Sequence, residues 1–149
     1  MDDQTSDPGP PFVGALLRLC WQRVRAHLHD AIRANGFTDL QEAHFAVFSY
    51  PVPDGVRPSD LARQLRMSRQ ATNYLVGQME RLGYLERRVG PDGDRRLIYL
   101  TERGSRVADV IYASLRKLQT RWADEVGHDR FKAFVDVLKH LSKEPSPPQ

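Results

Sequence analysis

Between positions 57 and 96 every basic residue is arginine. There are nine, at 57, 63, 66, 69, 81, 87, 88, 95 and 96, against acids only at 60, 80, 86, 92 and 94. A planar guanidinium donates two bonds at once, to a phosphate or to a base edge. The run therefore suits a polyanion, with a merely solvated charged surface as the bland alternative. Two clusters inside it carry more than charge. Ser68, Arg69, Gln70, Asn73, Tyr74 and Gly77 recur on one side of a helical spacing. Gln and Asn pair bidentately with adenine and Arg with guanine, while Gly lets a helix approach closely. Ser68 can hold first-turn amides or a phosphate. The second cluster, Arg87, Arg88, Asp94, Arg95 and Arg96, flanks Gly-Pro-Asp-Gly, which is turn chemistry.

Little else in the chain promises chemistry. Cys20 is the single cysteine, so an internal disulfide and Cys-based zinc sites are excluded. The five histidines, at 27, 29, 44, 128 and 140, are scattered, and His27 and His29 fall on different sides of a helix. No acid cluster, Ser-His-Asp set or Gly-rich phosphate loop suggests an enzyme, and no cofactor or metal is expected. No stretch approaches the roughly 18–20 apolar residues that span a bilayer. The acidic start lacks the pattern of a signal peptide, so the expected address is the cytoplasm, away from any membrane.

The elements that must position these clusters follow from periodicity. Phe12, Val13, Leu16, Cys20, Val24, Leu28 and Ile32 form a helical stripe that Asn35-Gly36 ends. A second helix is predicted from Asp39, with Glu42 at capping-box spacing, and Pro51 is expected to stop it. Pro58-Ser59-Asp60 opens a short helix. After a break at Arg66-Met67, Ser68 caps a longer helix running to about Gly83. This is helix-turn-helix spacing. Tyr84–Val89 and Arg96–Leu100 read as a hairpin. Thr101 caps a helix of roughly 39 Å that ends near Gly127, and a last helix carries Phe131, Phe134, Val135, Leu138 and Leu141 on one side. Helix-turn-helix followed at once by a basic hairpin is a winged helix: the helix reads the major groove and the hairpin reaches the minor groove.

The stretch "RPSDLARQLRMSRQATNYLVGQMERLGYLERR", a wing containing Asp-Arg-Arg and then "LTERG" resemble the MarR family of bacterial transcriptional regulators. "LQEAHFAVF" resembles that family's second helix, with His44 where Gln or His is usual, while Asn73-Tyr74 stands where members often carry Thr-Arg. The resemblance implies a mainly α fold: a winged helix-turn-helix lobe and a helical dimerisation lobe built from the N-terminal and two C-terminal helices. It also implies an obligate homodimer on an inverted-repeat DNA operator, usually a repressor, released by a small-molecule ligand held between the lobes.

The expected organisation is a disordered tail over 1–11, a first dimerisation helix over 12–36, the DNA-binding lobe over 37–100, dimerisation helices over 101–142 and a second tail over 143–149. Phe12, Val13, Trp122, Phe131, Phe134 and Leu138 are the expected dimer contacts. Trp21, His44, Phe48 and Ile111 can line a pocket for a small aromatic or amphipathic ligand, with plain core packing as the alternative. One branch of the family senses peroxide through a first-helix cysteine. Here Cys20 could be helped by Trp21, His27 or His44, or be simply a small buried hydrophobe. A winged-helix scaffold for protein partners is the remaining alternative.

Overall fold

The computed structural model describes residues 7–50, 53–93 and 96–143. The first helix, α1 (Val13–Ala34), ends as its sequence predicts. Gly36 takes φ +87°, and the amides of Gly36 and Phe37 close back on the carbonyls of Arg33 and Ile32. A single turn, α2 (Glu42–Phe45), then continues as a 3-10 turn over Ala46–Ser49. Its cap differs from the expected one. The Gln41 amide donates to His44 Nδ1 at 3.0 Å. Asp39, the predicted cap, is used elsewhere. The expected stop at Pro51 lies outside the described residues.

Helix α3 (Pro58–Leu65) buries Leu61 and Ala62. Arg66 breaks the chain in left-handed conformation at φ 54°, and α4 (Arg69–Arg81) follows. The hydroxyl of Ser68 accepts the Ala71 amide at 3.0 Å, which is the predicted cap. Strands β1 (Leu85–Val89) and β2 (Arg96–Leu100) pair antiparallel, with Leu85 opposite Leu100 and Arg87 opposite Ile98. Val56 adds a one-residue bridge to the other edge of Ile98. The long helix α5 (Glu102–Val126) is capped by Thr101, whose hydroxyl accepts the Gly104 amide at 3.1 Å, and α6 (His128–Leu141) completes the chain.

One core joins these elements. Ile32 of α1, Val47 and Phe48 after α2, Leu61 of α3, Val76 and Met79 of α4, Ile98 of β2 and Val107 and Ile111 of α5 all meet in it. The start of α1 and the whole of α6 stand partly outside. Leu28 and Ile32 are buried, but the same stripe nearer the start of α1 is open, with Phe12 60% exposed. No residue of α6 is buried. Among the described residues, no helix is long and apolar enough to cross a membrane, and no group of three or more potential ligands gathers to hold a metal.

A polar knot ties the lobe together. The phenol of Tyr84, just before β1, donates to Asp39 Oδ1. Arg103 donates to Asp39 Oδ2 at 3.1 Å and to the Leu82 carbonyl at 2.6 Å, and its guanidinium lies 4.4 Å from the Tyr84 ring centre. Burial first, then the hydrogen bond and negative charge of Asp39, push the Tyr84 phenol up to about 12, while Arg103 pulls the other way. The folded state therefore holds this proton more tightly than the unfolded chain does. The resulting stabilisation is complete below pH 10 and is lost as pH rises toward about 12. Unfolding titrations at pH 9 to 12 should show the parent losing stability more steeply than Tyr84→Phe. Parallel curves would show that the phenol is not held this way.

Candidate nucleic-acid interface

The predicted reading residues share one side of α4. Thr72, Leu75, Val76 and Met79 face inward, which leaves Arg69, Gln70, Asn73 and Tyr74 exposed, Tyr74 by 66%. Gly77 is half-exposed on the same side. A Cβ there would meet only the Arg81 guanidinium, at 3.6 Å. Nothing in this chain requires glycine at that position, although a mid-helix glycine costs up to about 1 kcal/mol relative to alanine.

The hairpin stands beside α4, and its arginines divide. Arg87 pairs with Glu80 of α4 at 2.9 Å, so it braces the wing against the helix. Arg88 lies 3.8 Å from the centre of the Tyr99 ring and 3.8 Å from Glu86. Arg96 is exposed at the start of β2. Gly93, at φ +80°, closes the turn onto the Gly90 carbonyl. Asp94 and Arg95 lie outside the described residues. Counting arginines by composition cannot see that Glu80, seven residues away, claims one of them.

A cavity of about 650 Å³ opens between α1, α2 and α5. Trp21 and Ile111 line it as expected. His44 and Phe48 do not: both are turned into the core, and Phe45, Ala46 and Ser49 present themselves instead. A helix of one turn has no periodicity from which its inner face can be read. Arg25 and Glu42 pair at 2.9 Å on the cavity wall.

Cys20 borders a second cleft, of about 320 Å³, with Arg23, Trp122, Phe131 and Phe134. Its suggested helpers are engaged elsewhere. The Nε2 of His27 meets the Ser114 carbonyl at 3.0 Å, His44 is bonded to Gln41 and Gln78, and Trp21 lines the other cavity. Phe12, Val13 and Phe134 are exposed, and Trp122, Phe131 and Leu138 are half-buried. Sequence reasoning gave Asp39 another role, as a helix cap, and missed Tyr84 and Arg103. Only the "LTERG" stretch hinted at the last of them.

The family model described as MarR family matches residues 38–97, which take in α2 through β1 and the first two residues of β2. The chain belongs to the MarR family. This MarR-family chain is 34% identical over 117 residues to the transcriptional activatory protein BadR of Rhodopseudomonas palustris, a match covering 76% of the chain. It spans 65% of that curated relative's length. Its fold matches CouR of Rhodococcus jostii RHA1 bound to p-coumaroyl-CoA, with TM-score 0.71, 20% identity and coverage of 93% of this chain and 96% of that one. It also matches the oxidized form of MarR from E. coli, with TM-score 0.68, 19% identity and coverage of 89% and 96%. The mainly α winged-helix fold expected from the sequence is the fold observed.

Proposed function

We propose that this protein is a dimeric, sequence-specific DNA-binding transcriptional regulator of the cytoplasm whose operator affinity is lowered by a small molecule. The observation that carries this reading is the outward face of α4, where Arg69, Gln70, Asn73 and Tyr74 surround a glycine that the fold itself does not need. Such a face suits the major groove, with Arg96 on the wing over the flanking minor groove. Asp94 and Arg95 belong to the same wing tip in sequence. The open apolar stripes of α1 and α6 supply the dimer contact, and two-fold symmetry then places half-sites about 10 bp apart.

The cavity beside α2 is the effector site of this reading. Its apolar walls and the Arg25–Glu42 pair suit an amphipathic molecule with an aromatic body and an anionic end that competes for Arg25. CouR with its aromatic thioester supports that class. Release from DNA by such a ligand gives a repressor where the operator overlaps a promoter. The name of BadR favours activation where the site lies upstream.

Selection of bound duplexes from a randomised library tests the reading. An inverted repeat should be enriched, and log affinity should fall against log salt with a slope of about −0.9 per phosphate neutralised. Asn73→Ala and Gln70→Ala should alter preference at particular bases by about 1–3 kcal/mol each, whereas Arg96→Ala should weaken all sequences alike. Gly77→Ala should stabilise the fold by roughly 0.5–1 kcal/mol and yet weaken DNA binding. A folded dimer that retains no duplex would point to a protein-interaction scaffold and overturn the proposal.

A further inference from the structure

We propose that His44 is a positioning residue that couples the cavity beside α2 to the DNA-reading helix α4. The inference rests on the regulator reading above and assigns a residue to its signal. One short turn of chain separates the cavity from α4. Ala43, Phe45, Ala46 and Ser49 line the cavity, while His44, between them, is turned inward and only 3% exposed. Its two ring nitrogens make different bonds. Nδ1 accepts the Gln41 amide at 3.0 Å, so the ring proton sits on Nε2, which donates to Gln78 Oε1 at 3.3 Å.

This arrangement works as a link because both ends are fixed. The first bond locks the imidazole to the α2 backbone, so the ring moves with the helix. The second ends on Gln78, next to Gly77 and one turn beyond Tyr74 on α4. Ahead of α2, Asp39 is held by Tyr84 and Arg103, so a molecule wedged against Ala43 and Ala46 turns α2 about that anchor. The ring then swings against Gln78. Burial leaves no bulk water to replace a lost bond, so stretching it is costly and α4 follows.

The test needs no identified effector. Ala46→Trp places an indole in the cavity from an exposed position, and affinity for the selected duplex is compared with and without it in each background. In the parent background it should weaken binding by about tenfold. In Gln78→Leu and in His44→Leu the effect should shrink to under about twofold, because the link is gone. His44→Gln should keep the full effect, since its amide can accept from Gln41 and donate to Gln78 as the imidazole does. Thermal midpoints identify any background that fails to fold, and Gln78→Met serves as a gentler break. A tenfold effect that survives loss of the link, or that His44→Gln abolishes, overturns the proposal, as does an indole with no effect in the parent. Failure of the unmodified protein to select any duplex overturns the regulator reading itself, and with it this inference.

Discussion

Replacing Phe134 and Leu141 together by glutamate is expected to leave a folded monomer that binds the inverted repeat about a hundredfold more weakly or worse. The two side chains are 39% and 70% exposed, and they lie on the outer edge of the α6 stripe. Phe131, Val135 and Leu138 lie on the half-buried side of the same helix. New charges at the outer edge therefore cost this chain little of its own packing beyond the ring contact of Phe134 with Phe131. In a dimer they would be driven into an apolar contact, where an unpaired carboxylate is strongly disfavoured. A monomer reads one half-site and forfeits the gain from a tethered second reader, which is where the loss arises. Sedimentation should show half the parent's mass, and the unfolding transition should stay cooperative. A variant that remains dimeric with full affinity would place the subunit contact elsewhere on the molecule.

The same apolar stripes show how far the sequence could be read. Periodicity and end chemistry located every long helix, because Ser68, Thr101 and Asn35-Gly36 act on neighbours within four residues. The outward residues of α4 were legible for the same reason, since its inner face repeats every three or four positions. The failures share one cause. Asp39 and Glu42 have capping-box spacing, yet Asp39 is taken by Tyr84 and Arg103, which lie 45 and 64 residues downstream. Arg87 counts as a free cation until Glu80 is placed beside it. Sequence spacing puts His44 and Phe48 on a helix expected to border the cavity between α1, α2 and α5. The border is there, but a single turn can face either way. Local spacing carries no information about partners that only the fold brings together.

Gly104→Ala is expected to destabilise the protein by about 2–4 kcal/mol, even though it replaces a poor helix former with the best one. Thr101 opens α5 by accepting the Gly104 amide, and its own hydroxyl donates to the Gly83 carbonyl at 2.6 Å. The Thr101 amide meanwhile donates to the Tyr84 carbonyl at 3.1 Å. These bonds draw the start of α5 onto the base of the wing so closely that a Cβ at 104 would sit 2.1 Å from the Tyr84 carbonyl oxygen. That neighbour is backbone, fixed by its bond to Thr101 and by the adjacent pairing of Leu85 with Leu100. It cannot swing aside as a flexible side chain would. Overpacking of about 1–3 kcal/mol and strained hydrogen bonds of about 1 kcal/mol each outweigh a propensity gain of about 1 kcal/mol. For a chain of this size the midpoint should fall by roughly 5–15 °C. The wing base should shift from α4, so DNA affinity should fall even where the variant is folded. Gly77→Ala is the control, since the same substitution in an open helix position should raise stability. Two glycine-to-alanine changes of opposite sign follow from the packing, and equal signs would contradict the close approach of α5 to Tyr84.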